Sequence, residues 1–247
     1  MTYQLSRSEL LERIDHTLLV PEATRADIER FLADARTMGV HRVCISPTLL
    51  PQRTKKSQTA DAAPALEFVT VIGFPSGAHA AAVKVAEAER ALADGAAEID
   101  AVANLGFIKA GDVHALQREF ADLRAATAGH PLKIILETAC LTSSEIVAAC
   151  NVARDTGCDF VKTSTGFHSA GGATVEAVKL MAATVGADVG VKASGGIRSA
   201  AQARQMLRAG ATRLGVSATQ RILEEWDRIE QVSFDDDDDV VGHVAQY

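Results

Sequence analysis

Short runs rich in β-branched and other apolar residues recur along the chain. Longer, alanine-rich segments with apolar residues at helical spacing separate them. The runs at 13–16, 42–46, 68–72, 98–102, 132–137, 160–162, 189–192 and 213–216 predict strands. The segments 25–38, 80–93, 113–127, 143–156, 174–184 and 200–209 predict helices, and several stop at a glycine: Gly39, Gly95, Gly157, Gly186 and Gly210. The first strand and the stretch after Pro47 carry the weakest pattern.

Strands that alternate with helices make a parallel sheet, because parallel neighbours need a crossover between them. Eight such strands favour a single closed (β/α)8 TIM barrel over an open doubly wound sheet, and 247 residues suit one barrel of about 250 residues. No Pro/Gly/Ser-rich linker divides the chain, so one barrel domain is expected over 1–234, followed by an acidic, flexible tail over 235–247. Five consecutive aspartates at 235–239 repel one another, which favours a solvated loop over a metal site.

Composition narrows the class further. A hydrophobic content of 47% supplies a large core, and a formal net charge of −7 without a Lys/Arg block argues against nucleic-acid binding. Local basic sites for a phosphorylated metabolite remain open. Residues 1–6 lack the apolar core of a signal peptide, and no run approaches the roughly 18 apolar residues of a membrane span, so a cytoplasmic protein is expected. Cys44, Cys140, Cys150 and Cys158 form no C-x-x-C pair and have no histidines at zinc-ligand spacing; buried, reduced thiols are expected. Cys44 is singled out because its strand ends near the proposed site.

Polar residues that follow apolar runs carry the candidate chemistry, since barrel enzymes work at the carboxyl ends of their strands. Asp15 follows Ile14, Asp100 follows Ile99, Glu137 follows Leu136, Lys162 follows Val161 and Lys192 follows Val191. Alone, each is an ordinary ion-pair partner; together at one barrel mouth they suggest a site. An ordinary lysine, with a pKa of about 10.4, is protonated at neutral pH, but burial and a neighbouring cation both penalise the ammonium. Lys192 lies on the strand after Lys162, which supplies such a neighbour and a route to an amine that attacks a carbonyl as a Schiff-base nucleophile. The alternative is that one lysine binds a phosphate or pairs with a carboxylate.

Asp100 is then placed to move protons, with Asp15 positioning the network and Lys133 balancing Asp100; simple ion pairing explains these last two equally well. The glycines of Ser194-Gly195-Gly196-Ile197 and Gly215-Val216-Ser217 follow the seventh and eighth strands, the common phosphate position in barrels, and Gly171-Gly172 stands ready to assist.

The ordered set Ile14-Asp15-His16-Thr17-Leu18-Leu19, Val43-Cys44-Ile45-Ser46-Pro47, Gly73-Phe74-Pro75, Glu98-Ile99-Asp100, Lys162-Thr163-Ser164-Thr165-Gly166 and Val191-Lys192-Ala193-Ser194-Gly195-Gly196 resembles the deoxyribose-phosphate aldolase family over nearly the whole chain. The resemblance implies a class I aldolase without metal or organic cofactor that cleaves 2-deoxy-D-ribose 5-phosphate to acetaldehyde and D-glyceraldehyde 3-phosphate in deoxynucleoside catabolism. It implies Lys162 as the Schiff-base amine, Lys192 as the perturbing and proton-relay lysine, and Asp100 as proton donor and acceptor. Asp15, Lys133 and Cys44 are expected to support them. Gly166, Gly195, Gly196, Gly215 and Ser217 are expected to hold the phosphate, and a homodimer is implied.

Two departures from the family pattern predict weaker phosphate affinity: segment 167–174 is one residue longer than the commoner form, and Ala218 lacks a hydroxyl. In some family members a terminal tyrosine reaches the active site; Tyr247 takes that role or belongs to a disordered terminus. The competing readings are a Schiff-base aldolase for another phosphorylated aldehyde or ketose, a non-catalytic sugar-phosphate sensor, and a metal-dependent barrel aldolase. No His/carboxylate ligand set supports the last.

Overall fold

The computed structural model describes residues 5–51 and 65–238, with side chains as far as residue 228. Strands β1 (Ile14–Leu18), β2 (Arg42–Ile45), β3 (Glu67–Ile72), β4 (Glu98–Val102), β5 (Leu132–Ile135), β6 (Phe160–Lys162), β7 (Gly190–Ser194) and β8 (Arg213–Val216) each pair in parallel with the next. The pairing of β8 with β1, Asp15 opposite Gly215, closes the barrel. The expected (β/α)8 architecture is therefore present.

Around the strands run α1 (Arg7–Leu11), α2 (Arg25–Met38), α3 (Ala81–Asp94), α4 (Leu105–Ala110), α5 (Val113–Ala126), α6 (Ser143–Asp155), α7 (Val175–Val185), α8 (Ala200–Arg208) and α9 (Thr219–Asp238). Local chemistry sets several boundaries. Thr24 and Asp27 form a reciprocal capping box that starts α2, and Thr142 and Glu145 do the same for α6, satisfying N–H groups that the first turn leaves unpaired. Gly39 ends α2 at φ 76°, a backbone state that only glycine adopts without strain.

One face of each strand builds the core under the helices. Ile14, Val43, Ile45, Ile99, Leu132, Ile134, Val161, Val191 and Leu214 meet Phe120, Leu123, Met181 and Trp226 there. Each such side chain removed from water stabilises the fold by roughly 1.5–3 kcal/mol. Trp226 also donates its indole N–H to the carbonyl of Leu5 at 3.1 Å, fastening the start of the chain to α9.

The structure corrects three boundaries. The strand expected over 132–137 ends at Ile135, because Glu137 takes a left-handed backbone, φ 57°. Asp15 and Asp100 lie inside β1 and β4 rather than at their ends. Helix α9 runs through Asp238, so the first four aspartates of the acidic run extend a helix instead of forming a loop. A helix anchored by buried Ile222, Leu223 and Trp226 is already nucleated, and propagation costs far less than nucleation. Asp239 and Tyr247 fall outside the described residues.

Candidate active site

Strand alternation sends the other face of each strand toward the barrel axis. Many barrels fill that space with branched apolar side chains; here it holds ions. Asp100 of β4 is fully buried, and its Oδ1 accepts from Lys133 Nζ at 2.9 Å. Its Oδ2 accepts from both Lys162 Nζ at 2.8 Å and Lys192 Nζ at 2.7 Å. Lys192 also bonds Asp15 Oδ2, Lys133 also pairs with Glu98, and Arg213 joins Asp15 at 2.7 Å to Glu98 at 3.4 Å. Arg42 reaches Asp15 at 3.4 Å from β2. Five cations thus converge on three buried carboxylates. The Phe160 ring lies beneath, with Arg213 at 5.4 Å and Lys133 at 5.8 Å from its centroid.

The electrostatics follow from that census. Burial disfavours the charged form of Asp100, but Lys133, Lys162 and Lys192 outweigh it and hold the carboxyl well below its ordinary range. Asp15 is depressed in the same way: burial opposes, and Lys192, Lys133 and Arg213 win. Burial likewise pushes the Lys192 ammonium toward deprotonation, yet Asp100 and Asp15 reverse the sign and raise its pKa above that of an ordinary lysine. Lys192 is therefore a standing cation beside the oxygen that Lys162 shares. The surplus positive charge favours an anion at the mouth.

Above this layer opens a cleft of about 210 Å³. Lys162 lines it, as do Gly166, Gly195, Gly196, Gly215 and Ser217, the residues expected at the phosphate. Lys192, Asp100, Asp15 and Lys133 lie beneath it, fully buried. Gly215 is confined by packing: a Cβ there would lie 3.1 Å from Lys192 Cε and 3.0 Å from Ser194 Cβ.

Cys44 does not line the cleft. It packs with Leu19, Val69 and Val71 on the β2–β3 side of the barrel interior, where burial pushes its thiol up to about 11. Phe74 lies against that cluster and meets Phe167 edge-to-face at 5.2 Å, giving the mouth an apolar side.

Two expectations need correction. Gly171 and Gly172 do not line the cleft; Gly172 backs onto Gly195, where a Cβ would stand 2.3 Å from the Gly195 carbonyl oxygen, so its part is close packing of neighbouring loops. Cys140 is half-buried rather than buried, because it ends a short 3-10 turn at the surface, where its sulfur contacts His168 Nδ1 at 3.1 Å. The longer segment 167–174 is thus accommodated on the exposed side of the mouth.

Sequence reasoning passed over Arg213, Glu98 and Arg42 in the interior, Arg198 on the cleft wall, and Thr165, whose hydroxyl donates to Glu137. Arg213 and Glu98 did carry a signal. Each stands two positions before a named site residue, Gly215 and Asp100, and so shares its face of the strand.

A larger cavity of about 710 Å³ lies between α2 and α9; it shares Leu18, Val20 and Ser217 with the mouth but touches none of the interior lysines. Among the described residues, no group of three or more His, Cys, Asp or Glu is arranged to hold a metal ion.

A family model described as DeoC/LacD family aldolase matches residues 10–222. The chain belongs to that aldolase family. Its relatives in the family include the deoxyribose-phosphate aldolase of Corynebacterium diphtheriae, 51% identical over 221 residues, covering 89% of this chain and 98% of the relative. The deoxyribose-phosphate aldolase of Mycobacterium tuberculosis strain H37Rv is 50% identical over 228 residues, covering 91% and 99%. Among solved aldolases, the tetrameric deoxyribose phosphate aldolase of Aeropyrum pernix superposes with a TM-score of 0.81 at 33% identity, over 92% of this chain and 94% of that one. No helix among the described residues of this aldolase is long and apolar enough to cross a membrane.

Proposed function

We propose that this protein is a class I aldolase that reversibly cleaves 2-deoxy-D-ribose 5-phosphate to acetaldehyde and D-glyceraldehyde 3-phosphate, with Lys162 as the Schiff-base amine. The observation that carries the proposal is the shared Asp100 Oδ2, which joins Lys162 and Lys192 directly beneath a glycine-lined cleft. The aldolase names of relatives at about half identity over nearly their whole length support the same substrate.

The Lys162 amine adds to the C1 aldehyde of the open-chain sugar, and loss of water gives a protonated imine, an electron sink. A base removes the C3 hydroxyl proton, and the C3 oxygen becomes the carbonyl of glyceraldehyde 3-phosphate. The C2–C3 pair moves onto the iminium to leave an enamine. Protonation at C2 and hydrolysis release acetaldehyde and regenerate Lys162. Asp100, ionised in the free protein, accepts protons directly or through water, and Lys192 returns them; positioned acid–base groups contribute about 10²–10⁴ in rate. Asp15 and Lys133 hold Asp100 and Lys192 in place, while Cys44 lends bulk to the apolar side. Gly166, Gly195, Gly196, Gly215 and Ser217 receive the phosphate, and its binding energy orients the reacting carbons.

The working unit is the barrel, 1–234, acting in the cytoplasm on small sugar phosphates and aldehydes without a cofactor. It assembles as a homo-oligomer, with the dimer as the expected form; light scattering tests this. Borohydride reduction in the presence of acetaldehyde, followed by peptide mapping, tests the central claim. An adduct on Lys162, lost together with turnover in Lys162→Ala, supports it; an active enzyme with no adduct at Lys162 overturns it.

A further inference from the structure

Among the described residues Glu137 is the one non-glycine residue with positive φ, 57°. An L side chain in this left-handed region crowds the backbone, and glycine would relieve the crowding. The position is also buried, and its carboxylate accepts from the N–H and the hydroxyl of Thr165. A strained backbone carrying a buried carboxylate is retained only where its surroundings require that side chain.

The requirement is visible in its partners. Both Glu137 oxygens accept from the Thr165 N–H, at 3.2 and 3.3 Å, and Oε2 also accepts from Thr165 Oγ1 at 2.5 Å. Thr165 Oγ1 in turn accepts from the Phe167 N–H at 3.1 Å. The same turn is tied to β6 by the Thr138 N–H, which donates to the Thr163 carbonyl at 2.8 Å. Thr165, Gly166 and Phe167 all line the cleft, three to five positions beyond Lys162.

We propose that Glu137 is a positioning residue for the phosphoryl end of the substrate: by clamping Thr165 it sets the Thr165-Gly166-Phe167 turn against the anion. The inference rests on the aldolase reading and deepens it. A carboxylate this near an anion site opposes binding by charge alone, so what it contributes is geometry.

Four variants test it: Glu137→Ala, Glu137→Gln, Thr165→Val and Thr165→Ser. Calorimetric titration with glycerol 3-phosphate, which cannot form a Schiff base, reads the phosphoryl end apart from chemistry. Turnover of 2-deoxyribose 5-phosphate and of unphosphorylated 2-deoxyribose reads the two ends of the site. Glu137→Ala and Thr165→Val are expected to weaken glycerol 3-phosphate binding, and raise KM for the phosphorylated sugar, by about tenfold or more, as the loss of one charge-assisted hydrogen bond implies. The kcat for that sugar and the kcat/KM for the unphosphorylated one are expected to stay within about threefold. Glu137→Gln and Thr165→Ser, which keep an acceptor and a hydroxyl, recover most of the affinity.

Wild-type affinity in Thr165→Val overturns the proposal, as does an equal loss of turnover on both sugars or a wild type that binds no glycerol 3-phosphate. If Glu137→Ala does not fold, the threonine pair decides. A wild type without aldolase turnover defeats the functional reading while the titration still judges Glu137.

Discussion

Replacing Asp100 by Asn removes the charge at the centre of the interior network while keeping its shape. Asp100 accepts three ammonium donors, at 2.7, 2.8 and 2.9 Å, from three consecutive strands. An asparagine amide presents one accepting oxygen and an NH2 group with two donors, so at least one lysine faces an N–H group, and the remaining carboxylates are outnumbered by more than two to one. Breaking a buried pair by removing one partner costs about 3–5 kcal/mol. For a chain of this size each kcal/mol moves Tm by about 2–4 °C, so Asp100→Asn is expected to lower Tm by roughly 6–20 °C. Retro-aldol turnover is expected to fall by about 10²–10⁴ through loss of the proton carrier.

Adding Lys133→Met sharpens the test. Lys133 does not line the cleft, and Glu98 retains Arg213 at 3.4 Å when it goes. The double variant therefore regains stability over Asp100→Asn by a coupling of about 0.5–3 kcal/mol, while activity stays low. Calorimetric melting and a coupled assay for glyceraldehyde 3-phosphate give the two readouts. A Tm for Asp100→Asn within about 2 °C of wild type, or strictly additive losses in the double variant, would refute the charge argument.

Further outcomes follow from other parts of the molecule. Asp15 and Asp100 have folded pKa values below their unfolded value of about 3.9, so the stability they contribute is complete above about pH 4 and is lost as pH falls through the folded values. Urea midpoints are expected to drop as pH is lowered from about 5 to 2, and the drop should be shallower in Asp15→Asn. Lys84 is buried between the Val102 carbonyl at 2.8 Å and Glu119 at 3.0 Å; Lys84→Met leaves Glu119 uncompensated and is expected to cost about 3–5 kcal/mol in urea unfolding, with Glu119→Gln recovering part. Gly190→Ala places a methyl 2.2 Å from the Phe160 ring and is expected to destabilise by about 1–3 kcal/mol; an unchanged melting point would show that the ring moves freely.

The barrel was legible because its strands are apolar β-branched runs separated by helices with clear stops, and those features are local. What the sequence concealed has physical reasons. Helix α1 spans five residues and α4 six, too short for a periodic pattern to develop, and α9 carries so many charges that its apolar stripe is thin. Lys162, Lys192 and Asp100 could be named because a charge after an apolar run is conspicuous. Asp15 and Lys133 were named beside them, but which residue each one bonds was not legible: the Lys192–Asp15 bond joins residues 177 positions apart, and only closure makes them neighbours. The Glu137 turn was hidden for a different reason, since strain at one φ leaves no trace in periodicity.

The link between Lys192 and Asp15 spans β7 and β1, so it exists only once the last strand has met the first. A chain still emerging from the ribosome holds its lysines in water, where an ordinary lysine, with a pKa of about 10.4, is protonated. The proposed site is thereby tied to completion of the fold: the same act that seals the sheet brings Asp15 to Lys192. A half-made or partly unfolded molecule lacks that link, so the closed sheet and the ion network inside it are gained and lost together.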